Sequence, residues 1–282
     1  MTTDIDKILV VSDVDGTILQ AGYGIPGKNI ETIEKFVELG GRFTLATGRG
    51  ITATGKYTDF IHLSVPAILV NGGMIYDYNE KKVLREHTLE PEARFVLREI
   101  MDVFPKLGVE ILIRGLNCAV RMNEEVLNHT AVEHLPFILT DLETVEDGWN
   151  KVLFADKPEE ILVVKDYVEN RCKQDERFRM FDFVQTAKIY YELIPKGINK
   201  ADALHELAEI TDTEMENIVV IGDYYNDVEL LEAAGISAVV GDAPDDIKEI
   251  ADIVVKPCLE GGVAELLEMI MNNELSKNLI YK

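Results

Sequence analysis

Short apolar runs alternate with amphipathic segments at both ends of this 282-residue chain, and this alternation constrains its fold more than any other feature. Near the start, Ile8–Ser12 is a β-branched run, and Asn29–Leu39 has apolar residues at helical spacing, with Asn29 as the expected cap. Near the other end, Lys200–Ala208 has a helical pattern and Ile218–Ile221 that of a strand. Because repeated βα units build parallel sheets with helices on both faces, both ends are predicted to form such a sheet.

The middle of the chain follows a different pattern. Met74–Tyr78 and Val83–His87 are short strand-like runs on either side of a polar turn, which is typical of a hairpin. Val109–Ile113 and Cys118–Met122 surround a second turn that contains Gly115. Hairpins mixed with helical segments indicate an α+β region with an antiparallel sheet.

These two patterns together predict the domain organisation. A chain of 282 residues is long enough for one large domain or two modest ones. We predict an α/β fold with a Rossmann-like, doubly wound parallel-sheet core formed by residues 1–82 and 194–282. An α+β cap domain is expected to be inserted at residues 83–193.

The charge balance restricts the partners of the protein. The chain has 28 basic and 51 acidic residues, for a formal net charge of −23. Such a surface repels nucleic acid and anionic membranes, so we expect neither as a partner. An anionic substrate would need a local positive site, supplied by a metal ion or by a few placed lysines and arginines.

Cysteine usage and hydropathy bear on the compartment. Cys118, Cys172 and Cys258 are scattered and odd in number, which favours a reducing environment over a disulfide framework. The opening MTTDIDK lacks the regions of a signal peptide, and no apolar stretch approaches the roughly 20 residues that span a bilayer. We therefore expect a cytoplasmic protein.

Two aspartates follow the first apolar run directly. Asp13 and Asp15 are one residue apart in SDVDGT, so an extended backbone would bring their like charges near each other. That arrangement costs free energy unless a cation binds or one carboxyl holds a proton. Taken alone, Asp-x-Asp-Gly is more often a turn, because Gly16 supplies backbone freedom and aspartate favours local hydrogen bonds.

Three further strand ends finish in polar residues, in ATGR, VNGG and IGDYYND. Ligands of open parallel sheets bind at the carboxyl ends of strands, so these segments are predicted to line one crevice with SDVDGT. Asp223 and Asp227 would add carboxylates, which suits Mg²⁺, and Lys200 would add a positive charge. Such a set favours phosphoryl transfer. Considered singly, Asp223 and Asp227 could instead cap a helix, and Lys200 could be a solvated helix residue.

The order of these segments resembles the haloacid dehalogenase (HAD) superfamily of phosphatases. The resemblance consists of D-x-D-G-T, then a strand that ends in threonine, then a lysine, then G-D-x-x-N-D, and it spans nearly the whole chain. A sizeable insert between the threonine and lysine segments is similar to the type IIB cap of the Cof-type branch, and we expect substrate specificity to reside in this insert, residues 83–193.

The resemblance implies a role for each matched acidic residue. Asp13 matches the nucleophile, which forms an aspartyl-phosphate, and Asp15 matches the general acid and base. Mg²⁺ would be held by the Asp13 carboxylate, the backbone carbonyl of Asp15 and Asp223. Asp227 would support the metal or Lys200, and we count it with the metal-binding carboxylates.

The resemblance also implies phosphate and substrate contacts. The positions that match phosphate-contacting residues are Val14, Thr47, Gly48, Lys200 and Asn226. Asn71 follows a strand end and is expected to face the substrate. Arg49 is either a substrate contact or a member of a surface salt bridge.

These implications lead to one function and two alternatives. We expect Mg²⁺-dependent hydrolysis of a phosphate monoester of a small metabolite, such as a sugar phosphate, through an aspartyl-phosphate. A sugar phosphomutase would instead return the phosphoryl group to sugar, and a hexose bisphosphate distinguishes the two by its products. A non-catalytic sensor of phosphorylated metabolites is the third possibility, although binding alone does not need the acid at Asp15. The substrate and the oligomeric state stay open.

Overall fold

The computed structural model describes residues 5–132 and 136–275. The strands are β1 (Leu9–Ser12), β2 (Arg42–Leu45), β3 (Ala67–Leu69), β4 (Met74–Asp77), β5 (Lys82–Glu86), β6 (Gly108–Ile113), β7 (Leu116–Arg121), β8 (Phe137–Leu139), β9 (Lys151–Ala155), β10 (Phe181–Ala187), β11 (Tyr190–Pro195), β12 (Ile218–Gly222), β13 (Ile236–Val239) and β14 (Ile253–Val254). The α-helices are α1 (Gly27–Glu38), α2 (Ile51–Gly55), α3 (Ala93–Val103), α4 (Glu124–Val132), α5 (Pro158–Gln174), α6 (Glu176–Arg179), α7 (Lys200–Ile210), α8 (Val228–Ala233), α9 (Asp245–Ile250) and α10 (Gly262–Met271). None of these helices is both long and apolar enough to cross a membrane.

The chain divides into two compact units. The core unit contains the chain up to Arg49, residues Thr54–Arg85 and the chain from Asn199 onwards. The insert unit contains Glu86–Ile198 together with the short segment Gly50–Ala53. Each unit has its own sheet.

The core unit contains a five-stranded parallel sheet. Its strand order is β14-β13-β12-β1-β2, so β1 lies between β2 and β12. All four residues of β1 are buried, as expected for a β-branched strand covered on both faces. A parallel bridge from Ala46 to Ile68 continues the pairing towards the antiparallel sheet β3-β4-β5. The predicted α/β fold with a parallel central sheet is confirmed.

Helix α1 differs from the sequence prediction at its start. It begins at Gly27 with Pro26 as its N-cap, and Asn29 is fully buried within the first turn. The Asn29 side chain accepts a hydrogen bond from the Ala264 N–H at 3.0 Å and donates one to the Ile18 carbonyl at 3.5 Å. The expected capping role was wrong, because this amide serves backbone groups of distant segments, α10 among them.

The insert unit is an α+β structure. Its sheet has the order β10-β11-β9-β6-β7-β8, with antiparallel pairing except between β7 and β8. One face of the sheet carries apolar residues such as Val109, Ile111 and Phe154, which share a buried cluster with residues of α3 and α5. Because side chains alternate along a strand, the residues between them lie on the opposite face.

Two phenylalanines of the core unit, one buried and one exposed, allow a matched test of packing. Phe36 on α1 is fully buried, whereas the Phe60 side chain is largely exposed. Phe36→Ala removes a buried ring and should lower the free energy of unfolding by about 3–5 kcal/mol. Phe60→Ala should change it by less than about 0.5 kcal/mol. Urea unfolding of the two variants measures the difference, and equal losses would contradict this packing.

Candidate active site

Three neighbouring strands bring distant parts of the chain to one edge of the core sheet. Strands β2, β1 and β12 are parallel neighbours, so the residues that follow them lie side by side. Asp13 follows β1 and its N–H donates to the Ile221 carbonyl at 2.9 Å. Thr47 follows β2, and its N–H donates to the Ile68 carbonyl of β3 at 2.9 Å. Asp223 directly follows β12.

A buried lysine connects the acidic residues at this edge. Asp13, Asp223 and Asp227 offer carboxylate oxygens that all lie within 4.8 Å of one another. The Lys200 ammonium donates to Asp13 Oδ1 and to Asp227 Oδ1, each at 2.7 Å, and its side chain is only 2% exposed. Four residues singled out in the sequence therefore meet in one cluster.

Burial and mutual repulsion determine the charge state of these groups. Burial raises the pKa of Asp13 well above its usual range, and the Asp227 carboxylate raises it further, while Lys200 opposes both. Burial, together with Asp227, raises the pKa of Asp223 to about 7. Burial opposes the charge on Lys200, but Asp13 and Asp227 outweigh it and raise the pKa of the ammonium.

The donor set fits a divalent cation. If all three carboxylates of Asp13, Asp223 and Asp227 are ionised, the Lys200 ammonium leaves two negative charges of the cluster uncompensated. Closely spaced carboxylate oxygens are hard ligands of the kind that Mg²⁺ prefers. A divalent ion would offset the repulsion that raises the pKa values of Asp13 and Asp223. The sequence predicted repulsion between Asp13 and Asp15, whereas in the structure the carboxylates that repel Asp13 are those of Asp227 and Asp223.

The hydrogen bonds of the cluster distinguish Asp13 from Asp227. Both Asp227 oxygens are engaged, since Oδ1 accepts from Lys200 and Oδ2 from the Asp223 N–H at 3.2 Å. Within the described ranges, only Oδ1 of Asp13 accepts a hydrogen bond, and Oδ2 has no donor. Asp13 therefore retains an oxygen for chemistry, whereas Asp227 is suited to holding Lys200 and the loop after β12.

Asp15 points to a different partner. Both of its carboxylate oxygens accept hydrogen bonds from the Arg49 guanidinium, each at 2.7 Å, in a bidentate ion pair. The Asp15 side chain is about half exposed and that of Arg49 is 13% exposed. The guanidinium also lies 5.6 Å from the centre of the Tyr57 ring. The Asp15 carboxylate is thus not one of the three clustered carboxylates, although its charge contributes to the raised pKa of Asp223. Metal binding by its backbone carbonyl stays a prediction.

A strained turn after β3 holds the T-G-R loop that follows β2. Val70 and Asn71 both have φ of 54°, a left-handed conformation that is unusual for a β-branched residue. The Val70 N–H donates to the Arg49 carbonyl and the Asn71 N–H to the Thr47 carbonyl, each at 3.0 Å. A Cβ at Gly48 would lie 2.8 Å from Asn71 Oδ1, so the turn and the loop are in close contact.

The same turn also reaches the start of helix α7. Gly72 has φ of 99°, and a Cβ there would lie 2.1 Å from the Asn199 carbonyl oxygen. Asn199 is the N-cap of α7, since its side chain accepts from the Asp202 N–H at 2.8 Å. Lys200 is the first residue of that helix. Close approach at Gly72 therefore helps to position the lysine of the cluster.

The remaining predicted contacts differ in their surroundings. Thr47 is buried, and its hydroxyl accepts from the Arg49 N–H at 3.2 Å. Val14 is buried and Asn226 is exposed. No hydrogen bond within the described ranges joins the Val14 N–H or the Asn226 side chain to the acidic cluster. Their assignment to phosphate stays a prediction.

Thr17 and Gly16, next to the predicted aspartates, both adjoin Asp223, and this proximity was not among the sequence predictions. The Thr17 hydroxyl donates to Asp223 Oδ1 at 3.1 Å. Gly16 has φ of 90°, and a Cβ there would lie 2.2 Å from Asp223 Oδ2. The G-T of D-x-D-G-T contained this signal, because a glycine and a hydroxyl directly after a reactive acid can accommodate and bind a second carboxylate.

The contact at Gly72 can be tested against a glycine that has the same backbone conformation. Gly24 has φ of 78° but open space around a Cβ, so Gly24→Ala should cost only the left-handed strain of about 1–2 kcal/mol. Gly72→Ala adds a clash with Asn199, and we expect it to cost more and to displace Lys200. Urea unfolding and assays of the expected phosphate release measure both effects. Equal stability and equal activity of the two variants would contradict the positioning role.

Comparisons with known proteins identify the family of the chain. The family model of haloacid dehalogenase-like hydrolases matches residues 10–267. The chain is similar to a 5-amino-6-(5-phospho-D-ribitylamino)uracil phosphatase, YitU of Bacillus subtilis (26% identity, covering 92% of this chain and 96% of that protein). It is also similar to the pyridoxal phosphate phosphatase YbhA of Escherichia coli (25% identity, 92% and 97%). A subclass IIB sugar phosphatase of the superfamily has the same fold, with a TM-score of 0.76, 19% identity and coverage of 93% and 98%.

The matched region includes the aspartates after β1, the lysine at the start of α7 and the acidic loop after β12. It covers both ends of the core unit and the insert between them. The chain belongs to the haloacid dehalogenase-like hydrolases, and within them it is a phosphatase of the Cof-type branch.

Proposed function

We propose that this phosphatase hydrolyses a phosphate monoester of a small metabolite, with Mg²⁺ as its cofactor and an aspartyl-phosphate on Asp13. The observation that carries the proposal is the convergence of Asp13, Asp223 and Asp227 around the buried Lys200. Relatives of this chain are named for a phosphorylated ribitylaminouracil and for pyridoxal phosphate. These names support a phosphorylated small metabolite, such as a sugar phosphate, as the substrate class.

Asp13 would act as the nucleophile. Its Oδ2, which accepts no hydrogen bond from the described residues, would attack phosphorus, and the alkoxide of the substrate would leave. Lys200 holds Oδ1 and thereby fixes the orientation of the carboxylate. Asp13, Asp223 and the Asp15 carbonyl would hold Mg²⁺, with Asp227 in support. When bound, the ion would neutralise charge on the cluster and on the phosphate.

Asp15 would protonate the leaving alkoxide and later accept a proton from water. In the structure both Asp15 oxygens accept hydrogen bonds from Arg49, so neither has room for a proton facing the guanidinium. Opening the ion pair at one oxygen would let that oxygen hold a proton on the side that now faces Arg49. We propose that the phosphate of the substrate takes over the Arg49 N–H groups, which would release Asp15 for its catalytic role.

We also propose that the protein works in a reducing compartment. Cys118, Cys172 and Cys258 are free thiols, and a reducing compartment such as the cytoplasm is consistent with them.

The roles of the first two aspartates predict distinct losses of activity. Asp13→Asn removes the nucleophile and should reduce phosphate release to background. Asp15→Asn removes the proton donor and should lower kcat by about 10²–10⁴-fold. Asp245→Asn changes a side chain that is 96% exposed and serves as the control. Phosphate release is measured with Mg²⁺ over a panel of phosphorylated metabolites, and near-normal hydrolysis by Asp13→Asn would overturn the mechanism.

The metal site has its own test. Chelation with EDTA should abolish hydrolysis, and added Mg²⁺ should restore it. Asp223→Asn removes one carboxylate of the cluster and should raise the Mg²⁺ concentration for half-maximal activity by at least about tenfold. The Asp245→Asn variant should respond to Mg²⁺ like the parent protein. Full activity after prolonged chelation would contradict the metal-dependent part of the proposal and leave the phosphatase assignment intact.

A further inference from the structure

Two glutamates lie in one row on the insert sheet. Glu110 on β6 and Glu192 on β11 both pair with Leu153 on the strand between them, β9. The neighbouring residues Val109 and Leu193 belong to the apolar cluster on the other face, so the glutamates and Leu153 share the face turned away from that cluster. Two strand spacings place the glutamate backbones about 10 Å apart.

Each glutamate uses one oxygen and leaves the other without a partner. Glu110 Oε2 lies 2.6 Å from His129 Nδ1, and Glu192 Oε1 accepts from the Lys151 ammonium at 2.7 Å. Glu110 Oε1 and Glu192 Oε2 are buried and have no hydrogen-bond partner among the described residues. The two residues are only 3% and 4% exposed. Both oxygens thus require a donor that the described part of the chain does not supply.

Such atoms are unusual in this protein. Across residues 5–132 and 136–275, four buried side-chain nitrogen or oxygen atoms have no partner, and these two carboxylate oxygens are half of them. A buried acceptor without a donor is costly, and more so when it is charged. Their occurrence in one row of one sheet face points to a ligand rather than to two separate defects.

The surroundings define the chemistry of the ligand. Leu153 provides an apolar surface between the glutamates, and Ala155 beyond it is buried in a small cluster with Ala119 and Val126. The Tyr190 ring, two residues before Glu192 on the same face, lies edge-on to His129 with centroids 5.2 Å apart. Two acceptors separated by apolar surface suit an organic molecule with hydrogen-bond donors at both ends. A phosphate group would face two carboxylates and is disfavoured.

We propose that Glu110 and Glu192 form a recognition site for a small organic ligand that donates hydrogen bonds through hydroxyl or amino groups. Two sources have this chemistry. One is the unphosphorylated part of the substrate, in which case the inference rests on the proposed function and names a specificity site for it. The other is a separate polyol or amine that binds the insert unit independently of turnover.

Glutamine substitutions test the site with little change of shape. In Glu110→Gln or Glu192→Gln the amide oxygen can keep the existing pair, and the amide N–H₂ then occupies the place of the free oxygen. This change turns an acceptor into a donor and should repel a donating ligand. Glu176→Gln is the control, since that side chain lies in the same unit and is 92% exposed. Melting temperatures within a few degrees establish that all variants are folded.

The first arm measures binding without chemistry. Ribitol and glucosamine are the probes, as an unphosphorylated polyol and amine, and saturation-transfer NMR and calorimetry report their binding to the full chain. At least one probe should bind the parent and the Glu176→Gln variant alike. Either glutamine variant in the row should weaken that binding by at least about tenfold.

The second arm measures kinetics with phosphate monoesters. Phenyl phosphate offers no donor in its organic part, whereas ribitol 5-phosphate and glucosamine 6-phosphate offer several. If the ligand is part of the substrate, Glu192→Gln should raise KM for ribitol 5-phosphate or glucosamine 6-phosphate by at least about tenfold and leave kcat for these esters nearly unchanged. Both kcat and KM for phenyl phosphate should stay nearly unchanged. If the ligand is separate, binding falls in the first arm and KM stays the same.

Unaltered probe binding together with unaltered KM in both glutamine variants would overturn the recognition site. If the protein released no phosphate from any ester, the proposed function would be contradicted. Probe binding in the first arm would still test the recognition site.

Discussion

The buried ammonium of Lys200 is the interaction on which the rest of the site depends. It connects a carboxylate after the first strand to one after the twelfth, and it is itself the first residue of a helix. Without it, three carboxylates would share a buried space with no compensating charge, a situation in which protons or unfolding relieve the repulsion. With it, two negative charges are left over when all three carboxylates are ionised, and a divalent ion would offset them.

The backbone around this lysine shows how the sheet positions it. The turn that contains Val70 and Asn71 adopts left-handed dihedral angles, and Gly72 approaches the carbonyl of Asn199 more closely than a side chain would allow. Strain of this kind persists only where neighbouring structure holds it in place. The hydrogen bonds from Val70 and Asn71 to the T-G-R loop are that support. The loop after β2 and the start of α7 are therefore fixed by one turn.

Much of this arrangement could be predicted from the sequence, for identifiable reasons. Parallel strands end at one edge, so the polar segments after β1 and β12 predicted that Asp13, Asp223 and Asp227 would meet. Lys200 begins helix α7, and its place in the cluster was predicted from the order of segments that resembles the superfamily. The bidentate pairing of Asp15 with Arg49 could not be predicted, because the segment pattern allowed Arg49 either a substrate contact or a salt bridge.

Some features of the fold depend on contacts between residues far apart in the chain, and local patterns do not reveal them. Asparagine is a common helix-capping residue, yet the side-chain amide of Asn29 forms hydrogen bonds with the backbone of Ile18 and Ala264. The free oxygens of Glu110 and Glu192 depend on the register of three strands, which no local pattern specifies. The role of the insert in selecting substrates likewise stays a prediction.

The central place of β1 has a consequence for the synthesis of the protein. This fully buried strand pairs on one side with β2, which follows it closely, and on the other with β12, which is translated only after the entire insert. An apolar strand edge is therefore open for most of translation, and open edges invite association with other chains. The insert strands, by contrast, find their partners among themselves. We expect the nascent chain to complete the insert first and to need protection by chaperones until the ribosome releases the C-terminal part.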